Sequence, residues 1–217
     1  MRLMGNRFQA RLATVVCALT VVPVGLPFAP AATAAPCPDA EVVFARGTHE
    51  PDGLGEVGQG FVDALGPRLG GRSLGVYAVE YPAEDDYFNS TVSGGEAARD
   101  HILRVVAECP TTRIVLGGYS QGAAVASGVT SVLPPEVASH VVAVALFGAP
   151  TSGLSAMLAG GADLPTVNPA FTARTIDLCI DGDPICSSGM DLSAHTGYVA
   201  AGMTDQAADY AAARIVQ

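Results

Sequence analysis

The sequence predicts an α/β fold, one parallel sheet with helices on both faces. Five short apolar runs recur, at 41–45, 74–81, 113–118, 141–147 and 174–178. They are near-continuous in Val, Ile, Leu, Ala and aromatic residues, which is how strands buried on both faces read. Between the first four lie 56–69, 91–108 and 121–133, with apolar residues three and four apart, the period of a helix with one buried face. Strands alternating with helices make the sheet parallel. After the fourth strand, 151–171 is punctuated by Gly and Pro and reads as a surface loop with one short helix. The chain ends in an Ala-rich helix over 204–216, with Thr204 as its N-cap. No internal repeat or low-complexity linker divides it, so a single domain is expected.

The 217 residues carry 11 Lys+Arg against 21 Asp+Glu, and at 49% hydrophobic and 15% charged the chain is not disordered. Residues 1–11 hold Arg2, Arg7 and Arg11 and no acid, and 12–35 hold no charge. Ala32-Thr33-Ala34 puts small side chains at the −3 and −1 positions of a signal-peptidase site, so 1–34 is read as a signal peptide and 35–217 as the domain. The uncharged stretch is also long enough for a retained anchor, but Pro23, Gly25, Pro27 and Pro30 argue against a continuous helix. Losing the three Arg takes the formal charge from −10 to −13, and no Lys occurs anywhere. Such a surface repels phosphate backbones and excludes nucleic acid as a partner. The expectation is a secreted or cell-wall-associated monomer, not stably inserted in a membrane after cleavage.

Export gives the cysteines meaning. Cys17 leaves with the signal, while Cys37, Cys109, Cys179 and Cys186 remain and allow three pairings. No CxxC pair or His cluster suggests a metal, and an oxidising destination favours disulfides. Cys37 and Cys109 each lie four residues before an apolar run, at the N-terminal edge of the sheet, whereas Cys179 and Cys186 flank a short loop at the opposite edge.

Gly118-Tyr119-Ser120-Gln121-Gly122 matches G-x-S-x-G, directly after a strand run and directly before helical sequence. A strand-to-helix elbow of that kind needs small residues at its flanks and pushes the serine up, exposed at the C-terminal edge of the sheet. A Gly-rich turn with a capping serine would share the pattern but needs no base. A serine nucleophile does. Of four histidines, His140 precedes a strand, His101 sits inside a helix, and His49 follows the first strand in a loop with another task. His195 follows the last strand, where this chain order places the base. The orienting acid lies between them, among Asp177, Asp181, Asp183 and Asp191, with spacing favouring Asp183 over Asp181 inside the Cys179–Cys186 loop. Oxyanion donors are expected at the Gln121 backbone N–H and at Thr48, in the loop after the first strand.

These residues resemble the cutinase family over nearly all of 35–217. The likeness rests on Ala45-Arg46-Gly47-Thr48, on Gly117-Gly118-Tyr119-Ser120-Gln121-Gly122-Ala123, on Cys179…Asp183…Cys186 and on Ala194-His195. The resemblance implies a small lidless α/β-hydrolase with five parallel strands and a Ser120, Asp183, His195 triad. It implies Thr48 and Gln121 at the oxyanion positions and Cys37–Cys109 and Cys179–Cys186 as disulfides. The family commonly has Ser where Thr48 stands, and Thr keeps the hydroxyl. The function read from this is a secreted serine esterase, cofactor-free, acting on short or medium acyl, lipid or polyester carboxylic esters laid along a surface groove. A catalytically idle matrix-binding protein on the same fold, or an acyltransferase, are the alternatives.

Overall fold

The computed structural model describes residues 36–216; the expected signal segment, 1–34, and with it Cys17, lie outside them. Five parallel strands form one sheet in the order β2-β1-β3-β4-β5. They are β1 Ala40–Ala45, β2 Leu74–Ala78, β3 Arg113–Tyr119, β4 Val141–Phe147 and β5 Thr175–Leu178. The helices are α1 Gly55–Leu65, α2 Tyr87–Glu108, α3 Gln121–Val132, α4 Pro135–Ala138, α5 Gly153–Leu158, α6 Leu192–His195 and α7 Met203–Ile215.

Side chains alternate across a strand, so each strand feeds two cores. Val43, Ala45, Leu116, Val144 and Leu146 pack under Ala98 and Ile102 of α2 and Val125 and Val129 of α3. Val42, Phe44, Val115 and Phe147 pack on the other face, against Phe61 of α1 and Ala208 and Ala211 of α7. There Phe44, Phe61 and Phe147 meet with ring centroids 5.9–6.3 Å apart. Burial on both faces is why the strand runs read as apolar without alternation.

Several boundaries differ from expectation, each for a local reason. The helix expected over 56–69 ends at Leu65, and a tight turn follows over Gly66–Leu69 because Pro67 has no N–H to continue it. β2 stops at Ala78, and Tyr81 turns its hydroxyl to the Arg46 carbonyl oxygen instead. α2 begins four residues earlier than expected, at Tyr87, where Asp86 caps it by accepting from Asn89. The last helix is not capped by Thr204. Gly202, with φ 69°, precedes its first residue, and Thr204 is buried in its first turn.

Cys37–Cys109 joins the chain before β1 to the end of α2, with Cα atoms 5.5 Å apart. Cys179–Cys186 closes the loop after β5, with Cα atoms 5.9 Å apart. The first lies where strands begin and the second where they end. Among the described residues no helix is long and apolar enough to cross a membrane.

Candidate active site

The sheet reverses its winding between β1 and β3, and the loops leaving those strands face each other at its C-terminal edge, the crevice where open α/β sheets bind ligands. Ser120 stands at the elbow between β3 and α3 with φ 55° and ψ −120°. A non-glycine residue held there costs on the order of 1–3 kcal/mol, so its surroundings must enforce it. They do so through close backbones. A Cβ on Gly118 would come within 2.1 Å of the Gly122 carbonyl oxygen, and one on Gly122 within 2.0 Å of the Ala45 carbonyl oxygen. The Ser120 N–H donates to the Phe147 carbonyl at 2.9 Å, tying the elbow to the end of β4.

His195 ends α6, whose N-cap Asp191 accepts from the Ser193 N–H at 2.9 Å and hydroxyl at 2.6 Å. Its ring lies against Tyr119, centroids 5.1 Å apart, and the Tyr119 hydroxyl donates to the His195 carbonyl at 2.6 Å. His195 Nε2 is 2.9 Å from Ser120 Oγ, and its Nδ1 is 2.8 Å from Asp183 Oδ2. A proton on Nδ1, facing the carboxylate, leaves Nε2 as the acceptor for the serine hydroxyl.

Asp183 is fully buried. It accepts from the Ile185 N–H at 2.8 Å on Oδ1 and from the Tyr198 hydroxyl at 2.6 Å on Oδ2. The Cys179–Cys186 link closes the turn that carries it. The other candidate acids stand elsewhere: Asp181 is exposed, Asp191 caps α6, and Asp177 lies within β5. The other histidines stand apart too. His49 is exposed, 3.3 Å from Asp85; His101 pairs with Glu41 under Tyr77; His140 precedes β4 at the far edge.

Thr48 follows β1 in a braced loop. Buried Arg46 donates to the Glu50 carbonyl at 2.8 Å and to Asp52 at 3.0 Å, and Glu50 accepts from the N–H groups of Gly47 at 2.6 Å and Glu56 at 2.8 Å. Gln121 opens α3, so its backbone N–H has no partner within the helix. Its buried side chain donates to the Glu84 carbonyl at 3.0 Å and accepts from the Ser90 hydroxyl at 3.2 Å. That ties the start of α2 to the elbow, a role the motif alone did not reveal.

Ser120, His195, Thr48 and Gln121 all line one cavity of about 690 Å³. Val57, Pro150, Leu158 and Ile185 make its apolar wall, and Glu50, Glu56, Glu84 and Asp85 are its acidic residues. Tyr87 also lines it, and burial pushes its phenol up to about 12. Burial raises Tyr119 and Tyr198 as well, so all three hydroxyls remain protonated at neutral pH. Among the described residues no cluster of three His, Cys, Asp or Glu side chains could hold a metal ion. Sequence reasoning missed Tyr119, Tyr198 and Glu50, because each acts through a contact made only in space.

A parallel sheet, a strained serine elbow and a cavity over the strand ends define an α/β-hydrolase. Residues 36–215 match the family described as cutinase. The chain is 55% identical to carboxylesterase Culp1 of Mycobacterium tuberculosis over 213 residues, covering 98% of each. It is 49% identical to phospholipase Culp4 of the same organism, over 86% of this chain and 83% of that one. The structure of a Trichoderma reesei cutinase in complex with a phosphonate inhibitor superposes with a TM-score of 0.68 at 37% identity, covering 84% of this chain and 78% of that one. The chain belongs to the cutinase family and is a carboxylic ester hydrolase.

Proposed function

We propose that the chain is a secreted serine esterase whose nucleophile is Ser120, with His195 as its base and Asp183 as the acid that orients the base. The observation that carries this is the unbroken relay from Ser120 Oγ through His195 to buried Asp183, at 2.9 and 2.8 Å, opening into a cavity with an apolar wall. A hydroxyl so placed gives up its proton to Nε2 as Oγ attacks the ester carbonyl carbon. The carbonyl π electrons move to oxygen, and the oxyanion is received by the Gln121 N–H and by Thr48. As the intermediate collapses, the leaving alkoxide takes the proton from His195, and the acyl group stays on Ser120. Water then repeats the cycle with His195 as base, releasing the carboxylic acid and restoring the serine.

The substrate is an ester with a short or medium acyl chain, a lipid ester or a polyester. The cavity volume falls in the range of small-ligand sites, and Val57, Leu158 and Ile185 offer an acyl chain an apolar wall. Two disulfides fit an oxidising destination, which supports export, and cleavage after Ala34 would leave a domain spanning 35–217.

An organophosphonate that modifies activated serines tests the site. A single adduct on Ser120 by peptide mapping, absent in His195→Ala, is the expected result, and Ser120→Ala should lose about three or more orders of magnitude in kcat. An adduct elsewhere would overturn the assignment of Ser120, and none on folded protein with both disulfides intact would favour the idle-fold reading. The intact mass of the exported sample, beginning at Ala35, tests the cleavage.

A further inference from the structure

Tyr198 follows His195 by three residues, in the turn before α7, and is fully buried. Its ring stands edge-on to Phe147 and Tyr119, with centroids 6.2 and 5.8 Å away. Phenylalanine would fill that space equally well, so packing does not explain the hydroxyl. The hydroxyl donates to Asp183 Oδ2 at 2.6 Å, the same oxygen that meets His195 Nδ1 at 2.8 Å. It also accepts a long hydrogen bond from the Ile180 N–H at 3.4 Å and lies 3.4 Å from Cys186 Sγ, so the disulfide loop holds both partners. The approach depends on Gly148, where a Cβ would stand 2.9 Å from the hydroxyl and 3.2 Å from Asp183 Oδ2.

We propose that Tyr198 is a positioning residue that sets how readily His195 takes a proton, by sharing the charge on Asp183 Oδ2. This rests on the reading of His195 as the base. A buried carboxylate stays ionised only if donors surround it. Asp183 has three: the Ile185 N–H, His195 Nδ1 and the Tyr198 hydroxyl. A hydrogen bond to the charged oxygen draws density away from the side facing the imidazole. Without it, the full charge of Oδ2 falls on His195 and favours the imidazolium, which cannot accept the serine proton. Tyr198 thus favours the neutral imidazole, the form that accepts the serine proton. Other groups act on the same ring. Tyr119 packs on it, and Glu50, Glu56, Glu84 and Asp85 share its cavity. A change confined to Tyr198 leaves their influence in place.

The test is the pH profile of kcat/KM on a neutral ester, using the exported protein with both disulfides intact. Tyr198→Phe should move the acid limb to higher pH by about half a unit to one unit, besides lowering the plateau. Ring-fluorinated tyrosine placed at position 198 is a stronger donor of nearly the same shape and should move the limb the other way. A merely structural role would scale the profile and leave its midpoint in place. Unmoved midpoints in either protein, or shifts in the same direction, would overturn the proposal. Phosphonate labelling run alongside separates the two readings. Failure of the unaltered protein to label at Ser120 would sink the relay itself, whereas labelling with an unmoved limb would sink only the role of Tyr198.

Discussion

At the scale of the residue, Ser120 holds its conformation against its own preference. A φ of 55° with ψ −120° suits glycine, and the neighbouring backbones at Gly118 and Gly122 leave the chain no easier path. The strain turns the hydroxyl toward His195, so stability is traded for geometry. Two substitutions separate these effects. Ser120→Gly and Ser120→Ala both remove the proposed nucleophile, yet only glycine relaxes in that region. Ser120→Gly should be the more stable by about 1 kcal/mol, or about 2–4 °C in Tm for a domain of this size. Thermal unfolding of both variants at neutral pH reads the difference directly, and a lower midpoint for Ser120→Gly would mean that the strain is smaller than the chain entropy glycine adds to the unfolded state.

At the scale of the element, the two disulfides lie on opposite edges of one sheet and are expected to do different work. Cys37–Cys109 spans 72 residues and ties the start of β1 to the end of α2, far from the cavity. Loop closure of that length stabilises by about 4 kcal/mol in the chain-entropy model, against about 2.5 kcal/mol for the 7-residue separation of Cys179–Cys186. The short link closes the turn that carries Asp183, the acid proposed to orient His195. The Cys37→Ser/Cys109→Ser pair should therefore lower Tm most while leaving kcat nearly intact. The Cys179→Ser/Cys186→Ser pair should lower kcat out of proportion to its effect on Tm. Parallel losses of both quantities in both proteins would contradict the division. The elements that carry these links were legible because apolar runs and Gly-rich turns are local signals. Their ends were less so. Pro67 shortened a helix whose pattern continued to Leu69, and Asp86 capped an α2 that begins four residues before the apolar spacing read over 91–108. The choice between Asp181 and Asp183 was open for a related reason. Both sit in one turn, and only the folded chain buries one carboxylate under the disulfide and leaves the other in water. Tyr198 was hidden altogether, because a tyrosine reaching a carboxylate 15 positions back leaves no periodic trace.

At the scale of the whole molecule, the acidic lining of the cavity predicts that charge governs which esters approach. The chain carries a formal charge of −10, and its cavity is lined by Glu50, Glu56, Glu84 and Asp85 with no Lys or Arg among the lining residues. Glu50 spends its carboxylate on backbone N–H groups, and Asp85 stands 3.3 Å from exposed His49, but neither contact supplies a fixed positive charge to the cavity. A substrate bearing a second, ionised carboxylate must enter against that field, and it gains no cationic partner on arrival. A neutral ester of equal length meets only the apolar wall and the polar reacting atoms. The preference for the neutral ester should therefore be electrostatic, and salt should weaken it. Screening acts over about 30 Å at 0.01 M salt and only about 3 Å at 1 M, so the ratio of kcat/KM for neutral over anionic ester should fall steeply between those limits. Matched p-nitrophenyl butyrate and p-nitrophenyl hemisuccinate supply the pair. Glu84→Gln with Asp85→Asn should reduce the low-salt ratio toward the high-salt one, chiefly through the anionic substrate. A ratio indifferent to salt would assign the selectivity to the shape of the cavity wall around Leu158 and Ile185, and charge would then have no part in it.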